Sequence, residues 1–332
     1  MEKIAYLVLA HRDPEQLQRL VCKLDDPRFD FFIHIDKKKD ITPFTAITEK
    51  VKNSKVTFII DRVSCYYFDY SLVQAELNLL KATVGGIKYK YCVLISGQDY
   101  PLKSNDYIYN TLINNYPTCF IDSYSVSEAP KHGINWVEKI GYKYYSQRLR
   151  RVFQDLVGNK YYYGRIGFIF RGICRIYDMM MTCVSKSPRQ WLSGSEFTYS
   201  AGSQFWILPD KAVYHVLMKA DNSPLLRKTF NHSSAVDESY FQTSLSSFKE
   251  AIIPDSYAQA ESKLAHMDNS ALRMIKWHDG DIDADGHPFI WKSKDFELLK
   301  NCKALFGRKF EISEDSEILD KLDELISSNH DN

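Results

Sequence analysis

LISGQDYPLKS, residues 94–104, closes a run that begins at Lys90 and reads KYCVLIS up to Ser96. So apolar and β-branched a stretch suits a strand covered on both faces, as in a parallel sheet. It cannot run on through GQDYP, because Pro101 has no N–H for a central ladder and biases Tyr100 away from the helical region. The chain is therefore expected to turn between Gly97 and Pro101, leaving Asp99 at the carboxyl edge of the sheet, where open α/β folds bind ligands.

Upstream and downstream the same rhythm repeats. Lys3–Ala10, Asp30–Asp36 (DFFIHID), Val56–Ile60 and Thr118–Asp122 predict strands, and Pro14–Leu24, Ser71–Val84 and Asp106–Asn114 predict helices. This alternation predicts an α/β fold with a mostly parallel central sheet flanked by helices. From Ser200 the signals resume: AGSQFWILP as a strand, Asp210–Lys219 and Val236–Ser246 as helices, Glu250–Pro254 as a short strand. Ser313–Ser327 predicts a final amphipathic helix with Glu314 and Asp315 in its first turn, where the helix dipole favours acids.

Between these halves, residues 128–197 are basic and aromatic. Ten Lys and Arg from Lys131 to Arg175 alternate with Tyr144, Tyr145, Tyr161, Tyr162, Tyr163 and Phe168. Two readings stand: helices with snorkelling cations on a solvated face, or a surface for anionic headgroups or a polyanionic acceptor. The chain thus divides into an α/β half over 1–125, a basic aromatic helical insertion over 126–197, a second part of the same domain over 198–312, and a C-terminal helix and tail over 313–332.

The 332 residues are 45% hydrophobic, enough for a large core, and 43 basic against 42 acidic side chains give no general pull toward nucleic acid. Seven scattered Cys without a CxxC pair predict reduced, structural thiols and a cytosolic setting. The apolar stretch Ile4–Ala10 is too short for a signal peptide core or a membrane span, so secretion by that route is not expected. Residues 164–184 come nearest to a span, but Arg165, Arg171 and Arg175 interrupt them.

Residues able to do chemistry gather at the predicted strand ends and helix starts: Asp36, Tyr67, Asp99, Ser203, Gln204, and the pair Asp237–Glu238 in SSAVDESYF. Ser234 or Asp237 would cap a helix there, and a second acid is then free; Glu238 in a cleft could act as general base. In ALFGRKFE (304–311), Arg308 and Lys309 are either a solvated charge pair or a clamp for a diphosphate. HDGDIDADG (278–286) imitates a calcium loop, but position twelve is Lys292 where a bidentate Glu is required, so a glycine-rich turn is the simpler account. Dinucleotide, P-loop, zincin and hydrolase motifs are missing from the sequence.

In order along the chain, LVLAHRDP, FFIHIDKKKD, VLISGQDYPLKS, AGSQFWIL, AVDESYF, IKWHDGD and LFGRKFE resemble the core-2/I-branching glycosyltransferase family, which includes β-1,6-N-acetylglucosaminyltransferases and peptide O-xylosyltransferases. The resemblance implies a GT-A-like fold and an inverting transfer from a nucleotide-sugar donor without a metal. It implies that Asp36 meets the uracil and ribose end of UDP, that Tyr67 lies near the nucleotide, and that Glu238 is the catalytic base. Trp277 would pack on the acceptor sugar, and Lys309, with Arg308, would hold the diphosphate. A second upstream cation falls in WKSKD, at Lys292 or Lys294, and Gln98, Asp99, Ser203 and Gln204 are expected to meet substrate. On this reading 1–125 binds the UDP-sugar, 198–312 binds the acceptor and carries the catalytic base, and no cofactor is needed. The disulfide framework and anchor of animal members have no counterpart in the sequence, which implies a bacterial cytoplasmic enzyme of surface polysaccharide synthesis. Its acceptor would be a glycan or lipid-linked oligosaccharide, and the basic stretch would make peripheral contact with the inner membrane. The rival readings are a metal-dependent transferase using Asp281 and Asp283, and a non-catalytic carbohydrate or headgroup binder with Trp136, Trp277 and Trp291 as stacking platforms.

Overall fold

A computed structural model describes residues 1–67, 69–132, 134, 145–184, 186–231, 233–254, 266–268, 271–279, 282–283 and 287–328. In chain order its strands are β1 (Lys3–Ala10), β2 (Phe29–Ile35), β3 (Lys55–Phe58), β4 (Tyr89–Ser96), β5 (Asp99–Pro101), β6 (Phe120–Ile121), β7 (Tyr124–Ser125), β8 (Ser200–Ala201), β9 (Trp206–Pro209), β10 (His266–Asp268), β11 (Arg273–Ile275), β12 (His278–Asp279), β13 (Ile282–Asp283) and β14 (Phe306–Arg308). Six form the central sheet in the order β3-β2-β1-β4-β9-β6. β1 to β4 run parallel, and β9 is antiparallel to both its neighbours.

Alternate residues of β1 go to opposite cores. Tyr6 and Val8 pack with Phe31, Ile33 and Ile95 under Phe306, Phe310 and the C-terminal helix Glu317–Ser328. Ala5 and Leu7 pack with Leu94 under the helix Tyr70–Ala82 and the aromatic residues Phe230, Tyr240 and Phe241. Both faces are covered, which is why β1 and β4 are almost continuously apolar.

At QDYP the turn is tighter than expected. Gly97 and Gln98 make it, and Asp99–Pro101 then forms β5 in a second sheet, β10-β11-β14-β5, with Arg308 opposite Asp99. β7 pairs with β8, and β12 with β13.

Five other expectations need correcting. AGSQFWILP is not one strand: β8 ends at Ala201, and the chain leaves the ladder until Trp206. Gly202 explains the break, since a Cβ there would lie 1.8 Å from the Asp122 carbonyl oxygen. Val236–Ser246 divides into a 3₁₀ turn, Val236–Glu238, and the helix Tyr240–Leu245. Neither Ser234 nor Asp237 caps that helix; its first turn follows Ser239 with no side-chain cap. Glu250–Pro254 contributes a single bridge, Ile252 to Thr118. The final helix starts at Glu317, so Glu314 and Asp315 precede it; Asp315 still accepts from the Ile318 N–H at 3.1 Å.

Where described, the basic aromatic stretch is helical: Gln147–Tyr162, broken at Gly158 (φ 75°), then Arg165–Val184 and Pro188–Leu192. No helix among the described residues is long and apolar enough to cross a membrane.

Candidate active site

The carboxyl ends of β1, β2 and β4 open on one side of the sheet, where the strand order reverses: β2 and β3 lie to one side of β1, and β4 to the other. A cleft of about 680 Å³ occupies this switch point, the position at which parallel sheets admit ligands because neighbouring loops diverge there. Among the described residues its lining carries the cations Arg12, Lys38, Lys39, Arg151 and Arg308 against Asp36 and Asp155. Such a wall attracts a polyanion.

Asp36 follows β2 at the cleft, where its Oδ1 accepts from the Lys38 N–H at 2.9 Å. His34, two residues earlier, also lines the cleft, and its Nε2 accepts from the Val63 N–H at 2.9 Å. That bond needs a neutral ring, and burial lowers its pKa to about 4. Tyr67 lines the cleft with its hydroxyl 3.0 Å from His287 Nδ1. Burial, then the charges of Asp237 and Glu238, push its phenol up to about 12.

Asp99 lies beneath the floor and not on it. It is fully buried. It accepts from Arg308 at 2.9 Å, from Arg273 at 3.2 Å, and from the Ser96 N–H and hydroxyl at 3.2 Å each. Both guanidinium groups also lie within 4.5 Å of the Phe205 ring centre. The aspartate therefore fixes Arg308, which is the residue that reaches the cleft.

Lys309 and Lys292 are not brought to the cleft wall. Lys309 pairs with Glu311 at 2.8 Å, a carboxylate that Arg12 and Gln98 share, and Lys292 pairs with Glu314 at 3.5 Å. Gln98 and Gln204 do line it. Gln204 donates to Glu76 at 3.0 Å, whereas Ser203 contributes a carbonyl that accepts from Gln242 at 2.8 Å. Trp277 is half-buried between β11 and β12. Trp136, Asp281 and the side chain of Asp283 lie outside the described residues.

Glu238 ends the 3₁₀ turn, and its carbonyl accepts from the Gly202 N–H at 2.8 Å, tying it to the loop that carries Gln204. Its half-buried carboxyl is raised to about 8, by burial first and then by Asp237. Asp237 is itself raised to about 6 by burial, and its Oδ1 has no hydrogen-bond partner among the described residues. Such a group can accept a proton near neutral pH. The charges of Glu238 and Arg308 both reach Tyr67, so carboxyl and cation address one aromatic at the cleft.

Glu76, Arg12, Arg151, Arg273 and Phe205 are functional neighbours that the sequence reading missed. Glu76 had a signal: in SLVQAELNLLK it falls on the face of Val73, Leu77 and Leu80, where a carboxylate is out of place. It is fully buried and raised well above the ordinary value.

Compared with known proteins, residues 4–300 match the family described as Core-2/I-branching enzyme. A human β-1,3-galactosyl-O-glycosyl-glycoprotein β-1,6-N-acetylglucosaminyltransferase is 31% identical over 104 residues, 31% of this chain and 24% of the relative. The enzyme of the same name numbered 4 from Danio rerio is 29% identical over the same shares. The match thus spans about a quarter of those relatives' length. Mouse xyloside xylosyltransferase 1 superposes over 76% of this chain and 84% of its own, at 10% identity and a TM-score of 0.32, too loose a fit to weigh on fold or activity.

Proposed function

The chain belongs to the core-2/I-branching enzyme family, and on that premise we propose that it is an inverting, metal-independent glycosyltransferase with a GT-A-like fold. It moves a sugar, GlcNAc or xylose, from a UDP-sugar to a hydroxyl of a glycan or lipid-linked acceptor in bacterial surface polysaccharide synthesis. The observation that carries the reading is the cation-lined cleft at the switch point of the sheet, with the Glu238 turn tied through Gly202 to the loop that brings Gln204 to its wall.

The reaction is a single in-line displacement. The acceptor hydroxyl gives its proton to Glu238 as its oxygen attacks C1, and the C1–O bond to UDP breaks. Arg308 receives the charge developing on the diphosphate, already oriented by Asp99 and so at little reorganisation cost. Lys309, which rests on Glu311 away from the cleft wall, becomes the second cation by leaving that carboxylate for phosphate oxygens when the donor binds. Asp36 hydrogen-bonds the nucleoside, Tyr67 packs beside it, and Gln98, Gln204 and Trp277 meet the sugars. Fixed side-chain cations take the part a divalent metal would otherwise play.

The test is release of UDP, with transfer, from UDP-GlcNAc or UDP-xylose in the presence of a glycoside acceptor. Transfer should persist in EDTA, invert the anomeric centre, and fall about 10²–10⁴-fold in Glu238→Gln. An enzyme silenced by EDTA and restored by Mn²⁺ would refute the metal-free mechanism; full activity in Glu238→Gln would refute the base.

A further inference from the structure

The helix Arg165–Val184 has one face tied down and one bare. On the inner face Gly167, Cys174 and Asp178 are buried, Phe170 stacks on Phe153 with ring centres 4.1 Å apart, and Asp178 pairs with Arg150 at 3.0 Å. On the outer face Ile166, Phe168, Ile169, Ile173, Ile176, Tyr177, Met179, Met180 and Val184 are exposed, several by more than 60%. Spacings of three and four put Ile166, Ile169, Ile173, Ile176 and Met180 in one stripe along the axis. Exposed single hydrophobes are ordinary; a stripe along a 20-residue helix is not.

The charges on this face have one sign. Arg165 and Arg175 are exposed beside the stripe, and no acid is exposed on the helix, since its one carboxylate, Asp178, is turned inward. Lys160 is exposed just before it, and Lys186 and Arg189 just after. An apolar stripe bordered by cations is complementary to a negatively charged bilayer surface, where chains enter the acyl boundary and cations stay among headgroups. The preceding helix, Gln147–Tyr162, lends Arg151, Gln154 and Asp155 to the cleft wall, so the element bearing the bare face adjoins one that shapes the site.

From the stripe and its cations we infer that the Arg165–Val184 helix docks flat on an anionic phospholipid bilayer, without crossing it. This stands on a different observation from the transfer reaction and is read without donor. The full chain should co-sediment with phosphatidylcholine vesicles containing phosphatidylglycerol and bind pure phosphatidylcholine at least about tenfold more weakly, with high salt eroding the difference. The triple variant Ile169→Glu, Ile173→Glu, Ile176→Glu should lose binding about tenfold or more with its melting temperature unchanged, because those side chains are exposed. Arg165→Gln with Arg175→Gln should weaken anionic binding alone. Failure of the parent chain to bind either vesicle, or equal binding by the triple variant, overturns the inference. So would a dimer in sedimentation velocity that the triple variant dissociates, since the face would then belong to a second copy.

Discussion

With its carboxyl raised to about 8 by burial and by Asp237, Glu238 would be largely protonated at neutral pH, so kcat/KM should climb with pH through that value and level off above it. Glu238→Gln should abolish this limb, which rate profiles of both proteins will check. Stability runs the other way. The folded carboxyl keeps its proton to a higher pH than the ordinary 4.5, so the unfolded chain binds fewer protons between the two values, and stability falls as pH rises through that window. The melting-temperature gain of Glu238→Gln should therefore be larger at about pH 9 than at about pH 5. Arg308 is legible in GRKFE as one of two cations; which one faces the cleft is not, because that depends on Asp99, 209 positions away. Arg308→Ala should lower turnover about 10²–10³-fold. Asp99→Ala should also cost about 3–5 kcal/mol by removing the carboxylate with which buried Arg273 pairs at 3.2 Å, measured as a drop in the urea midpoint. An Asp99 variant of parental stability and rate would show that Asp99 does not hold Arg308.

The loops that carry the site are less readable than the strands that support them. β1, β2 and β4 announce themselves by length and burial on both faces, whereas AGSQFW has a strand's composition and is broken by a contact with Asp122, invisible at 80 residues' separation. The VDE turn was hidden for a related reason: Ala235 takes a left-handed φ of 50° that composition does not forecast. Gly202 joins both features, since its N–H holds the Glu238 carbonyl and its bare Cα clears the Asp122 backbone. A methyl group there has nowhere to go against backbone oxygen, so loop and turn must shift together. Gly202→Ala should therefore cost about 1–3 kcal/mol and lower kcat more than it weakens UDP binding. Calorimetric titration of UDP beside turnover would separate the two, and a variant whose kcat is intact would remove the loop from the mechanism.

Across the whole molecule, the parallel sheet was written in the first hundred residues, but the second sheet was not. Its four strands are three residues long each and unite segments from both ends of the chain, which leaves too short a pattern for any period to register. One fully buried side chain adds to the Asp99–Ser96 and Arg273–Leu94 bonds that fasten that sheet to the first. Gln16 donates to the Gly97 carbonyl at 3.0 Å and to the Phe310 carbonyl at 2.9 Å, and accepts from the Ile312 N–H at 2.7 Å. It thereby joins the first helix, the turn after β4 and the segment after β14, on which Arg308 depends. Gln16→Leu keeps the volume but strands two buried carbonyls and the half-buried Ile312 N–H, each worth about 1–3 kcal/mol, so a loss of about 3 kcal/mol or more is expected in urea unfolding, with the slope unchanged. Because the stranded groups flank Gln98 and Arg308–Lys309, UDP affinity should fall in the same variant even where it remains folded. If the Leu variant unfolds at the parental urea concentration, water or a neighbour replaces the glutamine, and packing with the Asp99–Ser96 and Arg273–Leu94 bonds suffices to hold the two sheets.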